Sequence, residues 1–232
     1  MWHGRTHPPP VETVKEWPSV PLEICKTDLL LVTDVQPDFC PGGTLAIDDG
    51  AAVIEPINRL MEAFPHVAAT QDWHPKGHMS FASSHPGRTP FDEFDCAYGR
   101  QMLWPDHCVQ GTTGASLHPR LRTEPIELVL RKGFHADIDS YSAFVENDRV
   151  TRTGLAGYLR ERGFLRVFIT GLALDYCVRY SAEDARKLGF EAVVVTDACR
   201  AIAKGRDLEN ALTEMRASGV VFTSIADVLR AA

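Results

Sequence analysis

Asp72-Trp73-His74 sets a carboxylate and an imidazole two residues apart, so in an extended chain both project to the same side. An oxygen ligand and a nitrogen ligand so placed suit Zn²⁺, Fe²⁺ or Mn²⁺ better than Ca²⁺ or Mg²⁺. His107, in Trp104-Pro105-Asp106-His107-Cys108, can supply a third ligand, and on spacing alone His78 and His85 compete for that place. Three protein ligands leave positions open to a substrate. Cys177 offers a second kind of chemistry, because it follows Gly171-Leu172-Ala173-Leu174-Asp175-Tyr176 at the expected start of a helix. A helix N-terminus favours a thiolate, and its N–H groups can hold an oxyanion. A cysteine nucleophile also needs a base and a cation, which Asp34 and Lys132 can provide. Each residue alone has a plainer reading. Asp72 and His74 can be polar residues at a strand end, Cys177 a packed core thiol, Lys132 a solvated lysine and Asp34 a loop brace. Cys25, Cys40, Cys96, Cys108 and Cys199 keep the plain reading.

The elements that carry these residues raise their joint weight. Short apolar runs at 28–33, 66–70, 126–130, 167–171, 193–196 and 220–223 read as strands, several apolar enough to be buried on both faces. Helical spacing of apolar residues appears at 51–64, 155–162, 175–188, 208–217 and 225–229, with Gly163, Gly189 and Gly219 as stops. This alternation predicts an α/β protein, a three-layer αβα sandwich around a mostly parallel sheet. Ligands of such sheets sit beyond the carboxyl ends of the strands. Asp34 follows the first strand, Asp72 and His74 the second, Lys132 the third, and Cys177 the loop after the fourth. An acid, a base, a ligand pair and a thiol thus emerge at one rim. Residues 71–123 are dense in Gly, Pro, His and aromatics, and an irregular stretch of that length inside a domain is usually functional.

The chain has 232 residues, 44% hydrophobic and 24% charged, as expected of a globular protein with a sizeable core. Its 24 Lys and Arg against 31 Asp and Glu leave a net charge of −7. With no basic run, that balance argues against nucleic-acid or anionic-membrane partners. No stretch approaches the ~18 apolar residues of a membrane span, and residues 1–10 lack the apolar core of a secretory signal. Six scattered cysteines do not make a disulfide framework, so a reduced, cytoplasmic setting is expected. Residues 1–24, with Pro8, Pro9, Pro10, Pro18 and Pro21, read as an extension, and 25–232 as one domain. A homo-oligomer is left open.

Several stretches together carry a family likeness. They are Thr33-Asp34-Val35-Gln36-Pro37-Asp38-Phe39-Cys40-Pro41-Gly42-Gly43, Gln71-Asp72-Trp73-His74-Pro75, Ser80-Phe81-Ala82, the run from Leu103 to Thr112, Lys132-Gly133, Tyr141-Ser142-Ala143-Phe144, and Gly171-Leu172-Ala173-Leu174-Asp175-Tyr176-Cys177-Val178. In this order the sequence resembles the bacterial nicotinamidases, also called pyrazinamidases, of the isochorismatase-like cysteine hydrolase superfamily. The resemblance implies a catalytic triad of Asp34, Lys132 and Cys177. It implies one divalent transition metal, commonly zinc, iron or manganese, on Asp72, His74 and His107, with a further ligand near His78 or Ser80 in some members. It also implies an oxyanion hole from the N–H groups of Ala173 and Cys177, a cis peptide between Leu172 and Ala173, and Phe39 and Trp104 flanking the substrate ring. Residues 83–101 match an insert found in a subset, a candidate lid. The implied activity is hydrolysis of nicotinamide, and of pyrazinamide, through a thioester acyl-enzyme in NAD salvage. The ring nitrogen would lie at the metal and the carboxamide over Cys177. Rivals are a ureidoacrylate or carbamoyl-amine hydrolase of the same superfamily, which resemble this chain at Asp34, Lys132 and Cys177 but typically lack the metal set, or a non-catalytic metal-binding or redox-sensing protein.

Overall fold

The computed structural model describes residues 22–203 and 205–231; the proline-rich extension expected over 1–24 lies almost wholly outside the described residues. Six strands form the central sheet: β1 (Asp28–Thr33), β2 (Val67–Asp72), β5 (Ile126–Lys132), β6 (Arg166–Leu172), β7 (Glu191–Arg200) and β8 (Val221–Thr223). They lie in the order β5-β2-β1-β6-β7-β8, and every neighbouring pair is parallel. Alternate side chains of β1 serve the two faces, as the two-residue period of a strand requires. Leu30 and Val32 pack with α1 (Ile54–Ala63) and α5 (Ile225–Ala231) through Ile54, Ile57, Leu60 and Val228. Leu29 and Leu31 pack on the other face with α2 (Leu155–Glu161), α3 (Arg179–Lys187) and α4 (Arg206–Ala217) through Leu155, Leu159, Ala182 and Met215. Each fully buried Leu or Ile contributes roughly 1.5–3 kcal/mol, which fixes the register of the sheet against both layers. Among the described residues, no helix is long and apolar enough to cross a membrane.

The strand order reverses between β1 and β6, because the chain moves from β1 to β2 on one side and from β6 to β7 on the other. That switch point leaves a crevice beyond the carboxyl ends of the two strands. The register places the reactive positions there: Thr33 pairs with Gly171, and Asp72 pairs with Lys132. Gly171 (φ +108°) permits the approach, since a Cβ on it would lie 2.0 Å from the Thr33 carbonyl oxygen.

Three elements depart from expectation. The helix predicted at 175–188 begins as a π-helical turn, Leu174–Val178, and becomes α-helical only at Arg179. Cys177 therefore sits inside a widened turn of the kind often found at functional sites. The strand predicted at 193–196 extends over Glu191–Arg200, with a register shift opposite Ile169 and Gly171 that hides the longer pairing from a simple apolar run. The irregular stretch after β2 contains an antiparallel hairpin, β3 (Glu93–Cys96) and β4 (Gly99–Met102). Its strands are four residues each and largely exposed, and the alternation Glu93-Phe94-Asp95-Cys96 is too short to stand out.

Candidate active site

Asp34 leaves β1 in the left-handed region (φ +47°), which aspartate tolerates better than most residues. Its N–H donates to Thr70 Oγ1 at 3.1 Å, and the Thr70 hydroxyl donates back to Asp34 Oδ1 at 2.6 Å. The other oxygen, Oδ2, lies 2.9 Å from Lys132 Nζ. Lys132 comes from the end of β5 and is fully buried. Its ammonium also donates to Asp72 Oδ1 (2.6 Å), the Ser140 carbonyl (2.9 Å) and Cys177 Sγ (3.4 Å). A buried charge survives only when paired, and here one cation serves two carboxylates and a thiol. Burial works against the Lys132 charge, but Asp34 and Asp72 overcome it and keep the ammonium protonated.

The two carboxylates are not equivalent. Burial raises the Asp34 carboxyl, assisted by the Asp72 charge and only partly opposed by Lys132. Burial acts on Asp72 too, but Lys132, His74 and hydrogen bonds from His107 and His74 outweigh it and hold that carboxyl well below the usual range. Burial likewise pushes the Cys177 thiol well above its ordinary value, despite Lys132. The place of Cys177 near a helix start favours a thiolate, and burial opposes it. Desolvation wins, and the resting sulfur is a thiol beside Asp34. A thiol and a carboxyl group so placed can exchange a proton.

The other candidate ligands converge next to this cluster. His74 Nε2 is 3.4 Å and His107 Nε2 3.5 Å from Asp72 Oδ2. Each ring is oriented through its other nitrogen, His74 Nδ1 on the Gly133 carbonyl (2.9 Å) and His107 Nδ1 on the Pro105 carbonyl (2.8 Å). A carbonyl accepts only, so Nδ1 carries a proton, and Nε2, the nitrogen facing Asp72, is the one that a neutral ring offers to a metal. Two Nε2 atoms and one carboxylate oxygen within 4.8 Å of one another fit a divalent transition metal. His107 reaches His74 because the long segment is stitched onto the end of β2. The His74 N–H donates to the Cys108 carbonyl (3.0 Å), and the Cys108 N–H donates to Asp38 Oδ2 (2.7 Å).

His78 and His85 are placed otherwise. His78 donates from Nε2 to the Ile138 carbonyl (3.2 Å) and accepts at Nδ1 from the Ser80 hydroxyl (2.7 Å). Both nitrogens are engaged, and burial lowers its basicity, so it is a neutral neighbour packed on His74 with ring centroids 4.4 Å apart. His85 bonds the Met79 carbonyl at 2.7 Å, away from the cluster.

A narrow pocket opens over these groups, lined by Asp72, His107 and Cys177 together with Phe39, Trp104 and Ala173. The structure thus brings together the residues singled out for metal, nucleophile and aromatic clamp, with Asp34 and Lys132 buried behind them. The peptide between Leu172 and Ala173 is cis. Five further residues line it, Leu45, Asp139, Tyr141, Tyr176 and Ile202, for which the sequence carries no signal of a site role. Tyr141 and Tyr176 stood inside the motif stretches, but their contacts are tertiary: Trp104 Nε1 donates to Tyr141 Oη (3.2 Å) and meets the Tyr176 ring edge-on. Gln36, from the first motif stretch, clamps β2 by accepting from the Asp72 N–H (2.9 Å) and donating to the Asp72 carbonyl (2.9 Å). The β3–β4 hairpin is bolted to the cavity wall. The buried Gln101 amide donates to Asp139 Oδ2 (2.7 Å) and Tyr141 Oη (2.9 Å). All six cysteines are free.

The fold and this rim define a class, and the chain belongs to the isochorismatase family, whose domain model matches residues 28–227. Within that family it is similar to the nicotinamidase of Acinetobacter baylyi, at 52% identity over 86% of this chain and 94% of that protein. It is also similar to the solved structure of an Acinetobacter baumannii nicotinamidase/pyrazinamidase, at 49% identity and a TM-score of 0.86, covering 88% of this chain and 98% of that one. A Pyrococcus horikoshii pyrazinamidase solved in complex with zinc aligns at 34% identity and a TM-score of 0.69, over 85% and 99% of the two chains.

Proposed function

We propose that the chain is a metal-dependent cysteine amidohydrolase that converts nicotinamide to nicotinate and ammonia, and accepts pyrazinamide. The observation that carries this is one cavity lined by Cys177, Asp72 and His107, with the Asp34–Lys132 pair behind the thiol and His74 Nε2 converging with His107 Nε2 on the Asp72 carboxylate. The nicotinamidase relatives supply the substrate class, and the product suits NAD salvage. The metal set sets this reading above the ureidoacrylate and carbamoyl-amine alternatives.

In this scheme Asp34 takes the Cys177 proton as sulfur attacks the carboxamide carbon. The N–H groups of Ala173 and Cys177 face the developing oxyanion. Asp34 then returns the proton to the leaving ammonia, and water deprotonated by Asp34 cleaves the thioester to release nicotinate. Lys132 stays charged throughout and balances Asp34 and the sulfur in turn. Phe39 and Trp104 hold the ring, and orientation of this kind can lower a barrier by several kcal/mol. Asp72, His74 and His107 would hold a divalent metal such as zinc, which would supply a Lewis acid for orienting the substrate.

Ammonia release from a panel containing nicotinamide, pyrazinamide, benzamide, a ureidoacrylate and a carbamoyl amine tests the proposal. Nicotinamide and pyrazinamide should turn over well ahead of the rest; preference for the carbamoyl or ureido compounds overturns it. Chelation should remove activity, and a divalent transition metal should restore it. Gly133→Ala should weaken metal binding by about 10–100-fold, the usual effect of disturbing a ligand's support. Gly133 has φ +67°, and a Cβ there would meet the His74 ring at 2.5 Å. A metal titration of the chelated protein reads this directly, and unchanged affinity would remove His74 from the ligand set.

A further inference from the structure

Asp175 stands two residues before Cys177, in the same π-helical turn, and is buried. Its carboxylate points to neither the metal ligands nor Lys132. Oδ1 accepts from the Ile202 N–H at 2.9 Å, and Oδ2 accepts from the Ala203 N–H at 2.7 Å. Those successive amides belong to the link between β7 and α4, beyond the end of β7 at Arg200. Ile202 lines the cavity beside Tyr176 and Phe39 and packs, half-buried, on the core layer that contains Phe39 and Trp104. A carboxylate that accepts two consecutive main-chain N–H groups makes charge-assisted bonds and fixes both position and direction of the strand link. One turn therefore carries the reactive thiol and a clasp on a wall of its own cavity.

We propose that Asp175 is a positioning residue that sets Ile202 against the bound ring, and so governs affinity and size selectivity for the amide without taking part in the chemical step. This rests on the amidase reading above. A wall contact made equally in the bound and transition states acts on KM and leaves kcat alone. A hydrophobic contact of one or two methylenes discriminates by roughly 10–200-fold.

The test uses the metal-loaded enzyme and the variants Asp175→Ala, Asp175→Asn, Ile202→Ala and Asp175→Ala/Ile202→Ala. Asp175→Ala should raise KM for nicotinamide by about tenfold with kcat within about twofold, and should narrow the preference for nicotinamide over ring-substituted analogues. Ile202→Ala should reproduce this, and the double variant should be no worse than Asp175→Ala, because both changes act on one contact. Asp175→Asn, nearly isosteric, keeps one acceptor and should fall between wild type and Asp175→Ala; it carries the same measurements if the alanine variant does not fold. Hydrogen exchange at the Ile202 and Ala203 amides should accelerate in the Asp175 variants and stay slow in wild type. A fall in kcat with KM unchanged, additive effects in the double variant, or unaltered exchange overturns the proposal. If wild type hydrolyses no amide, the functional reading fails, while the exchange measurement still decides whether the clasp exists.

Discussion

Cys177→Ala should cut ammonia release from nicotinamide by on the order of 10⁴-fold or more, the scale seen when a nucleophile acting as part of a unit is removed. The sulfur is the atom that Lys132 Nζ approaches at 3.4 Å at the floor of the cavity, and alanine leaves no atom there to form a thioester. Folding should be little disturbed. The lost Lys132 contact is worth about 1 kcal/mol, and Lys132 retains Asp34, Asp72 and the Ser140 carbonyl. Metal content should be unchanged, since no ligand atom is removed. Turnover within tenfold of wild type would sink the nucleophile assignment and point instead to a metal-activated water. Rapid acid quench of the wild-type reaction followed by mass spectrometry is the complementary measurement, and it should find a nicotinoyl group on Cys177.

Lys132→Met should abolish activity as well, by about 10³-fold or more in kcat, and unlike Cys177→Ala it should also damage the fold. The variant leaves Asp34 and Asp72 buried without their shared cation, and breaking a buried pair by removing one partner costs about 3–5 kcal/mol. The pH dependence follows from the same loss. Without Lys132, burial and mutual repulsion raise both carboxyls in the folded state above their unfolded values, so the folded state binds more protons. Stability then falls as pH rises through those raised values and recovers below them. Urea unfolding should show the deficit relative to wild type shrinking from pH 8 to pH 5. A deficit that grew toward acid would mean that Lys132 is not what compensates these carboxylates. Lys132→Arg should not rescue, because a planar fork cannot replace an ammonium that meets Asp34, Asp72, Ser140 and Cys177 in different directions.

Several parts of this arrangement were legible in the chain. The apolar runs gave five of the six strands of the sheet within a few residues, because strands buried between two helical layers have little freedom in composition. The placement of Asp34, Asp72, Lys132 and Cys177 at one rim followed from their positions just after those strands, since parallel strands all point one way. Other parts were not legible. The π-helical turn at Leu174–Val178 is not marked by composition; what distinguishes it is a pair of backbone bonds, from the Val178 N–H to the Ala173 carbonyl and from the Arg179 N–H to the Leu174 carbonyl. The β3–β4 hairpin is short and largely exposed, and what fixes it is the buried Gln101 amide acting on residues about 40 positions away. Ile202 carries no local signal, because its place in the cavity depends on a carboxylate 27 positions earlier.

The sequence by itself determined the alternation of strands and helices, the family, and which residue types stand at the carboxyl ends of the strands, all properties of local pattern and order. Only the tertiary structure decided how those groups behave. Burial pushes the Cys177 thiol and the Asp34 carboxyl up, while Lys132 and His74 hold the Asp72 carboxyl down against it. Carbonyls of Gly133 and Pro105 decided which nitrogen each histidine offers. The physical reason is common to all of these. Desolvation and charge pairing depend on what surrounds a group in space, and at this site the surroundings come from strands and loops up to about 140 residues apart in the chain.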